Sequence, residues 1–545
     1  MTDQLRQDWI SLYGEEQAHH IERLIARAEA MGGPALPPAW WQHAVVYSLY
    51  VEGFADDGTF DGVRGRLDHL VDLGVDTLWL LPILESPMRD DGFDVSDHTL
   101  VRADLGGGEA FQRFLLDAHD RGMRVVFDFA LNHVSDEHPW FREALRGGES
   151  ARWFHWSDDG ELYSDARLLF KGMVPSNWEP VPEGADGARG KYYFHRFYPF
   201  QPDLDYNEPD LFAAILRAIL GWVERGVDGL RLDAIPFLWK EDGTDCENLP
   251  QVHVLLRIIR GLVELARPNT LLLAEACQPP EQVRDFLGSG DECQGVYHFP
   301  LMPRMWLAAG EADAAPLRWV LDPTRLPPIP DESAWFVFLR VHDELTLEFL
   351  DEDEMDRMRR LWLRDPSWSF RDGEGISARM ATLLDTDPRR ILGLFSVMLT
   401  IGGTPVIYHG DEFALGNDED HRAASAARTG WDDSRFLLRA PIPWEQVEAD
   451  LLAPGSATFQ VYEGLRAMLL LRRQLPGLLG GERRFLDVDP RVAAYSRGSG
   501  HEEVTVLVNL SGDDVDVDVD GVDLLTGRSG PLAPYEYRWL ATPNL

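Results

Sequence analysis

A closed (β/α)₈ TIM barrel, of the α/β class, is the fold this sequence predicts, and three observations predict it. First, eight short runs are β-branched or aromatic and apolar on both faces: AVVYSLYV (44–51), TLWLLPI (77–83), RVVFDFAL (124–131), GLRLDAI (229–235), LLLAEA (271–276), GVYHFP (295–300), WFVFLRV (335–341) and TPVIYHG (404–410). That is the pattern of parallel strands buried on both sides. Second, amphipathic helical stretches such as FDGVRGRLDHLVDLG and GEAFQRFLLDAHDRG lie between the runs. Third, no Gly-rich phosphate loop follows the first run, which disfavours the alternative of a doubly wound open sheet.

Taken in chain order, residues 1–39 read as an N-terminal helical extension. Ile21, Leu24, Ile25 and Ala28 recur at helical spacing, and Gly32, Gly33 and Pro34 stop the pattern. The barrel is expected over 40–133 and 201–457. The connection between the third and fourth runs is too long for a simple loop and rich in Trp, Tyr, Phe, Gly and Pro, so 134–200 reads as an inserted subdomain over the barrel mouth. The long connection between the seventh and eighth runs contains DEDEMDRMRR and reads as a helical excursion. Over 458–545 the helix FQVYEGLRAMLLLRRQLPG precedes RFLDV, VAAYSR, EVTVLVNL, DVDVDVDG and YEYRWL, which predict a C-terminal antiparallel β-sandwich domain.

Composition narrows the function. The 545 residues carry a net charge of −41, spread along the chain, which argues against nucleic acid or an anionic membrane as a partner and leaves a neutral ligand untouched. With 45% hydrophobic residues, 18 Trp and 26 Phe, the chain has material for a large core. Only three cysteines occur (Cys246, Cys277, Cys293), without metal-ligand spacing, and the polar, acidic N-terminus lacks the form of a signal peptide. A cytoplasmic location is the expectation, with a homo-oligomer left open.

The chemistry sits where the runs end. Asp128, Asn132 and His133 close the third run, Arg231 and Asp233 the fourth, Glu275 the fifth, and His342 and Asp343 follow the seventh. In a barrel these ends converge on one face. Residues i and i+2 of a strand point the same way, so Arg231 lies beside Asp233 and keeps it ionised. Retaining glycosidic cleavage needs two carboxyl groups about 5–5.5 Å apart, one a nucleophile and one protonated. Asp233 and Glu275, on adjacent strands, suit those roles. Asp343 suits a third, stabilising oxocarbenium-like charge, and His133 and His342 suit hydroxyl contacts. Each acid alone reads equally well as a cap or a structural ion pair.

The segments DFALNH (128–133), GLRLDAIP (229–236), LLLAEA (271–276) and RVHDE (340–344), in this order, resemble glycoside hydrolase family 13, the α-amylase family. The resemblance runs from about Trp40 to the C-terminus. Within the family the likeness is greatest to the trehalose synthase group, on RDDGFDVSDH (89–98), LNHVSDEHPWF (131–141), FHRFYPFQPDLDYNEP (194–209), LDAIPFL (232–238), GTDCENLP (243–250), YHFPLMPR (297–304) and VHDELTLE (341–348). The resemblance implies a small α-glucoside substrate such as maltose, trehalose or sucrose. It implies Asp233 as nucleophile, Glu275 as acid/base and interconversion of maltose and trehalose through a β-glucosyl-Asp233 intermediate. An α-glucosidase, a sucrose-type glucosyltransferase and, in another class, a non-catalytic binding barrel are the alternatives.

The resemblance also matches Asp90 and Arg439 to a charged pair that closes a pocket for one glucosyl unit; a surface ion pair is the other reading. Phe93 stands where the family often has Tyr and would stack on a sugar, or simply fill core. No cofactor is required by these motifs. Calcium is the one candidate, because Asn132 and Asp203 match family ligands together with carbonyls near Phe237 and Leu238. The acid that would complete the set is Lys240 here, whose ammonium could stand in for the cation. Val341 in place of a usual Asn, EACQPPEQ after Glu275, and the segment GNDEDHRAASAARTGWDDSRFLLRAPIPW depart from the pattern on the acceptor side.

Overall fold

A computed structural model describes residues 1–185 and 187–541. All eight runs become strands: β1 (Val46–Leu49), β2 (Thr77–Leu80), β3 (Arg124–Ala130), β4 (Gly229–Asp233), β5 (Leu271–Ala274), β6 (Gly295–Tyr297), β7 (Ala334–Phe338) and β8 (Thr404–Tyr408). Every neighbouring pair is parallel, and β1 pairs with both β2 and β8, so the sheet closes. Burial on both faces selects this arrangement, because a parallel sheet needs cover on each side. β1, β2, β4, β5 and β8 are buried at every position.

The N-terminal extension forms two helices, α1 (Thr2–Tyr13) and α2 (Ala18–Met31). They lie on the outer ring against α3 (Pro209–Arg225) and α4 (Pro250–Ala266). Trp9 stacks on Phe212 at 5.7 Å, and the Tyr13 hydroxyl donates to the Tyr206 carbonyl at 2.8 Å. Gly261 of α4 admits Leu5, since a Cβ there would stand 2.6 Å from Leu5 Cδ2.

Between β3 and α3 three short strands, Trp156–Ser157, Trp178–Pro180 and Tyr192–Phe194, form an antiparallel sheet. The connection between β7 and β8 holds the expected helix, Glu352–Trp362, started by an Asp351–Glu354 capping box. It also holds a three-stranded sheet (Leu345–Thr346, Ser369–Phe370, Gly375–Ile376), so the excursion is only partly helical.

At the C-terminus β9 (Arg483–Phe485), β10 (Val492–Arg497), β11 (Val504–Asn509), β12 (Val522–Asp523) and β13 (Tyr537–Ala541) make one antiparallel sheet, ordered β9-β10-β11-β13-β12. DVDVDVDG is not one of its strands. Only Val515 bridges, to Leu532, while Val515, Val517 and Val519 pack over the outer-face residues Val492, Ala494, Leu507 and Leu540. The second layer is thus an irregular segment rather than a second ladder. No described helix is long and apolar enough to cross a membrane.

Candidate active site

The carboxyl ends of the strands meet in a pocket of about 140 Å³ lined by Asp90, Phe93, His133, Arg231, Asp233, Glu275, His342 and Asp343 among others. That is room for roughly ten water-sized groups, the scale of one hexose unit. Of the nine residues expected to do chemistry or bind sugar, only Arg439 does not line it.

Register sets the two central acids. Leu232 pairs with Ala274, and the Glu275 N–H donates to the Leu232 carbonyl at 3.0 Å, so Asp233 and Glu275 are the next neighbours across the β4–β5 ladder. Adjacent strands run about 4.8 Å apart, and two inward carboxyl groups at that spacing suit the retaining separation. Arg231 donates through one nitrogen to Asp233 Oδ1 at 2.5 Å and to Asp128. Trp79 holds the other Asp128 oxygen at 2.9 Å, so Asp128 orients the arginine rather than facing a ligand.

The acids have different proton affinities. Burial raises the Glu275 carboxyl to about 7; Arg231 works against this and the neighbouring Asp233 charge adds to it. Burial would also raise Asp343, but His342, Arg435 and Arg439 outweigh it and hold Asp343 well below the usual range. The arginines are the lasting cause, since burial lowers His342 to about 4 and leaves that ring neutral. Arg435 reaches Asp343 Oδ1 at 3.0 Å, Arg439 reaches the same oxygen at 3.1 Å, and His342 Nε2 lies 2.9 Å from Oδ2. Glu275 therefore keeps a substantial protonated fraction up to neutral pH while Asp343 stays charged, so the pocket holds a proton donor beside a fixed negative charge.

Around them, Phe93 stacks on His342 at 5.3 Å and 17°. His133 Nε2 and His342 Nδ1 are buried without a protein hydrogen-bond partner, and both residues line the pocket.

Two expectations need correction. Arg439 does not pair with Asp90. It binds Asp91 at 2.9 Å, the His342 carbonyl at 3.0 Å and Asp343, from behind the wall. The cation facing Asp90 is Arg435, at 3.5 Å, with Gln201 donating to the other Asp90 oxygen at 2.9 Å. Arg435 is in turn fixed by Asp433 at 2.6 Å and lies over the Phe370 ring. The second correction concerns calcium. The Lys240 ammonium donates to Asn132 Oδ1 at 2.7 Å and lies 2.8 Å from Asp203 Oδ2, with both charged side chains fully buried. Asn132 and Asp203 are therefore spent on an ammonium, and the oxygen set does not fit a hard dication that wants six to eight ligands. Among the described residues no cluster of His, Cys, Asp and Glu could hold a metal.

Sequence reasoning missed several pocket residues. Glu344, next to Asp343, is raised to about 7 by burial and by Asp343. Arg167, Glu348 and Arg371 are joined by ion pairs at the mouth, where Cys277 also lies. Glu344 and Glu348 stand inside the VHDELTLE motif, and Arg435 inside the segment after β8 that departs from pattern, so position within those stretches is the signal that points to them.

An eight-stranded barrel whose strand ends gather acids around a hexose-sized pocket belongs to the class of α-glucoside-processing enzymes. The profile described as the catalytic domain of alpha-amylase matches residues 37–325, and this chain belongs to the α-amylase family, glycoside hydrolase family 13. Among similar proteins, a trehalose synthase/amylase of Mycobacterium tuberculosis is 36% identical over 91% of this chain and 87% of its own length. A trehalose synthase of Thermus thermophilus is 37% identical over 87% of this chain, which spans about half (51%) of that relative. A solved α-glucosyl transfer enzyme shares the fold with a TM-score of 0.72 at 22% identity, over 93% of this chain and 99% of its own.

Proposed function

We propose that the protein transfers single α-glucosyl units, interconverting maltose and trehalose by a retaining double displacement. The observation that carries this reading is the placing of Asp233 and Glu275 as neighbours across one ladder in the lining of a pocket sized for one hexose. Asp233, aligned by Arg231, attacks the anomeric carbon. Glu275, its carboxyl raised to about 7 and so protonated on the acid side of neutrality, gives its proton to the leaving oxygen and later takes one from the attacking hydroxyl. Asp343, kept ionised by Arg435 and Arg439, balances the cationic charge that develops on the sugar ring.

In this reading Asp90 and Arg435 form the pocket's end wall, and Phe93 supports the sugar face. The 134–200 segment acts as a subdomain over the mouth, contributing Arg167, Leu169, Phe170 and Phe197 to the lining. A glucose released into so confined a pocket is retained, turns, and attacks again through a different hydroxyl, while water gives glucose as a side product. Similarity to the two trehalose synthases supports this substrate class.

Hydrolysis of α-glucosides is the second reading, favoured by Cys277 in the pocket lining, within the stretch after Glu275 that departs from the trehalose synthase pattern. Product analysis with maltose decides. Trehalose with minor glucose is expected, and glucose alone would remove the isomerase reading and leave the glucosidase one.

A further inference from the structure

We propose that Tyr297 is a positioning residue for the nucleophile: from beneath the pocket, it fixes the Arg231 guanidinium that aligns Asp233. This role deepens the retaining reading above and rests on it. Tyr297 opens the YHFPLMPR motif and ends β6. Trp79 stands on β2, four strands away in either direction around the ring of eight, so the two side chains come from opposite walls of the barrel. Their rings nevertheless meet, with centroids 5.8 Å apart. Each residue is 1% exposed and neither lines the pocket, so any effect on turnover has to pass through a residue that does.

Arg231 is that residue. Its Cζ is 5.3 Å from the Trp79 ring centroid and 5.9 Å from that of Tyr297, and Phe93 faces it at 5.9 Å, so three rings surround the guanidinium at cation–π range. The polar contacts are lopsided. Asp128 and Asp233 both take the same Nη1, while Nε is buried without a hydrogen-bond partner. A guanidinium held through one nitrogen can pivot about it, and the rings are what oppose the pivot. The Trp79 N–H is spent on Asp128, which leaves the Tyr297 hydroxyl as the one ring oxygen beside the cation. That hydroxyl is also buried without a hydrogen-bond partner. An orphan hydroxyl is costly where a phenylalanine would fit, and two orphans on neighbouring side chains point to one another. Burial pushes the phenol well up and Arg231 is the charge that most opposes the rise, so the hydroxyl stays neutral in the field of the guanidinium. Phe299 and Phe338 flank the ring at 5.6 and 5.5 Å and hold it in place. When Asp233 becomes an ester its grip on Nη1 weakens. The rings and the hydroxyl do not change charge, and they keep the guanidinium seated for the second displacement.

The test is a double-mutant cycle on the full chain, read by steady-state kinetics with 4-nitrophenyl α-glucoside. Tyr297→Phe keeps the ring and removes the oxygen. It is expected to lose about tenfold in kcat, with KM within about twofold of wild type and an unchanged melting temperature. Tyr297→Leu, which also removes the ring face, should lose roughly 100-fold. In an Arg231→Lys background, where a compact ammonium replaces the planar fork, Tyr297→Phe should cost less than about twofold, because both changes break one contact. Wild-type kcat in Tyr297→Phe overturns the assignment. So does an equal loss in both backgrounds, which marks a role not exerted through Arg231, and so does a rise in KM at constant kcat, which puts the side chain against substrate. Asp233→Ala on the same substrate reads the nucleophile separately: turnover surviving there ends the retaining reading, while the coupling of Tyr297 to Arg231 is still measured by the cycle.

Discussion

The backbone N–H of Ala234 donates to Glu275 Oε2 at 2.9 Å, and Ala234 does this from the left-handed region, at φ 55°. A residue with a Cβ rarely sits there, at a cost of about 1 kcal/mol or more. The turn lets the residue after Asp233 aim its amide at the neighbouring carboxyl. An N–H bond marks Oε2 as the acceptor oxygen, so the proton of the neutral acid resides on Oε1, free to meet the leaving oxygen.

The roles of the two carboxyl groups separate by mutation. Asp233→Ala should lose turnover by on the order of 10⁴-fold or more, with an unchanged circular dichroism spectrum. Glu275→Gln should lose comparably on maltose but retain much of its first step on α-glucosyl fluoride, whose leaving group needs no proton. Full activity in Asp233→Ala would end the nucleophile assignment.

Activity should fall on the alkaline side as Glu275 deprotonates. Its carboxyl is raised to about 7, so the acid form dominates below that pH and vanishes above it. The measured kcat/KM on maltose should therefore decline through about pH 7. With 4-nitrophenyl α-glucoside, whose leaving group is acidic, the limb should flatten; an unchanged limb would assign it to another group.

The Lys240–Asp203 pair predicts indifference to calcium. Chelator should leave both melting temperature and activity unchanged. Lys240→Ala strands a buried carboxylate and should destabilise the fold by about 3–5 kcal/mol, read by denaturant unfolding.

Arg435 and Arg439 should fail differently. Arg435 lines the pocket and faces Asp90, so Arg435→Ala should cost roughly 10- to 100-fold in kcat/KM, mostly through KM. Arg439 supports Asp343 and the His342 carbonyl from behind, so Arg439→Ala should lower kcat and the melting temperature together. The reverse pattern would restore Arg439 as the end wall.

The barrel was legible because strands buried on both faces leave contiguous apolar runs, and the acids were legible because they end those runs. Irregular connections were not. Which arginine meets Asp90 depends on how Ser434–Leu438 turns, and nothing in the order Arg435…Arg439 states that. The run DVDVDVDG has perfect alternation yet no ladder, because its valines cover the apolar face of the sheet instead of extending its edge.

The pairing of Trp9 with Phe212, and of Leu5 with Gly261, bears on biosynthesis. At ribosomal speeds of about 5–20 residues per second, α1 waits roughly 10–40 s before α3 has even been made. Through that interval α1 offers an uncovered indole to whatever meets it. Its docking should belong to the last events of folding, and chaperone dependence should diminish when the hairpin is removed or Trp9 made polar.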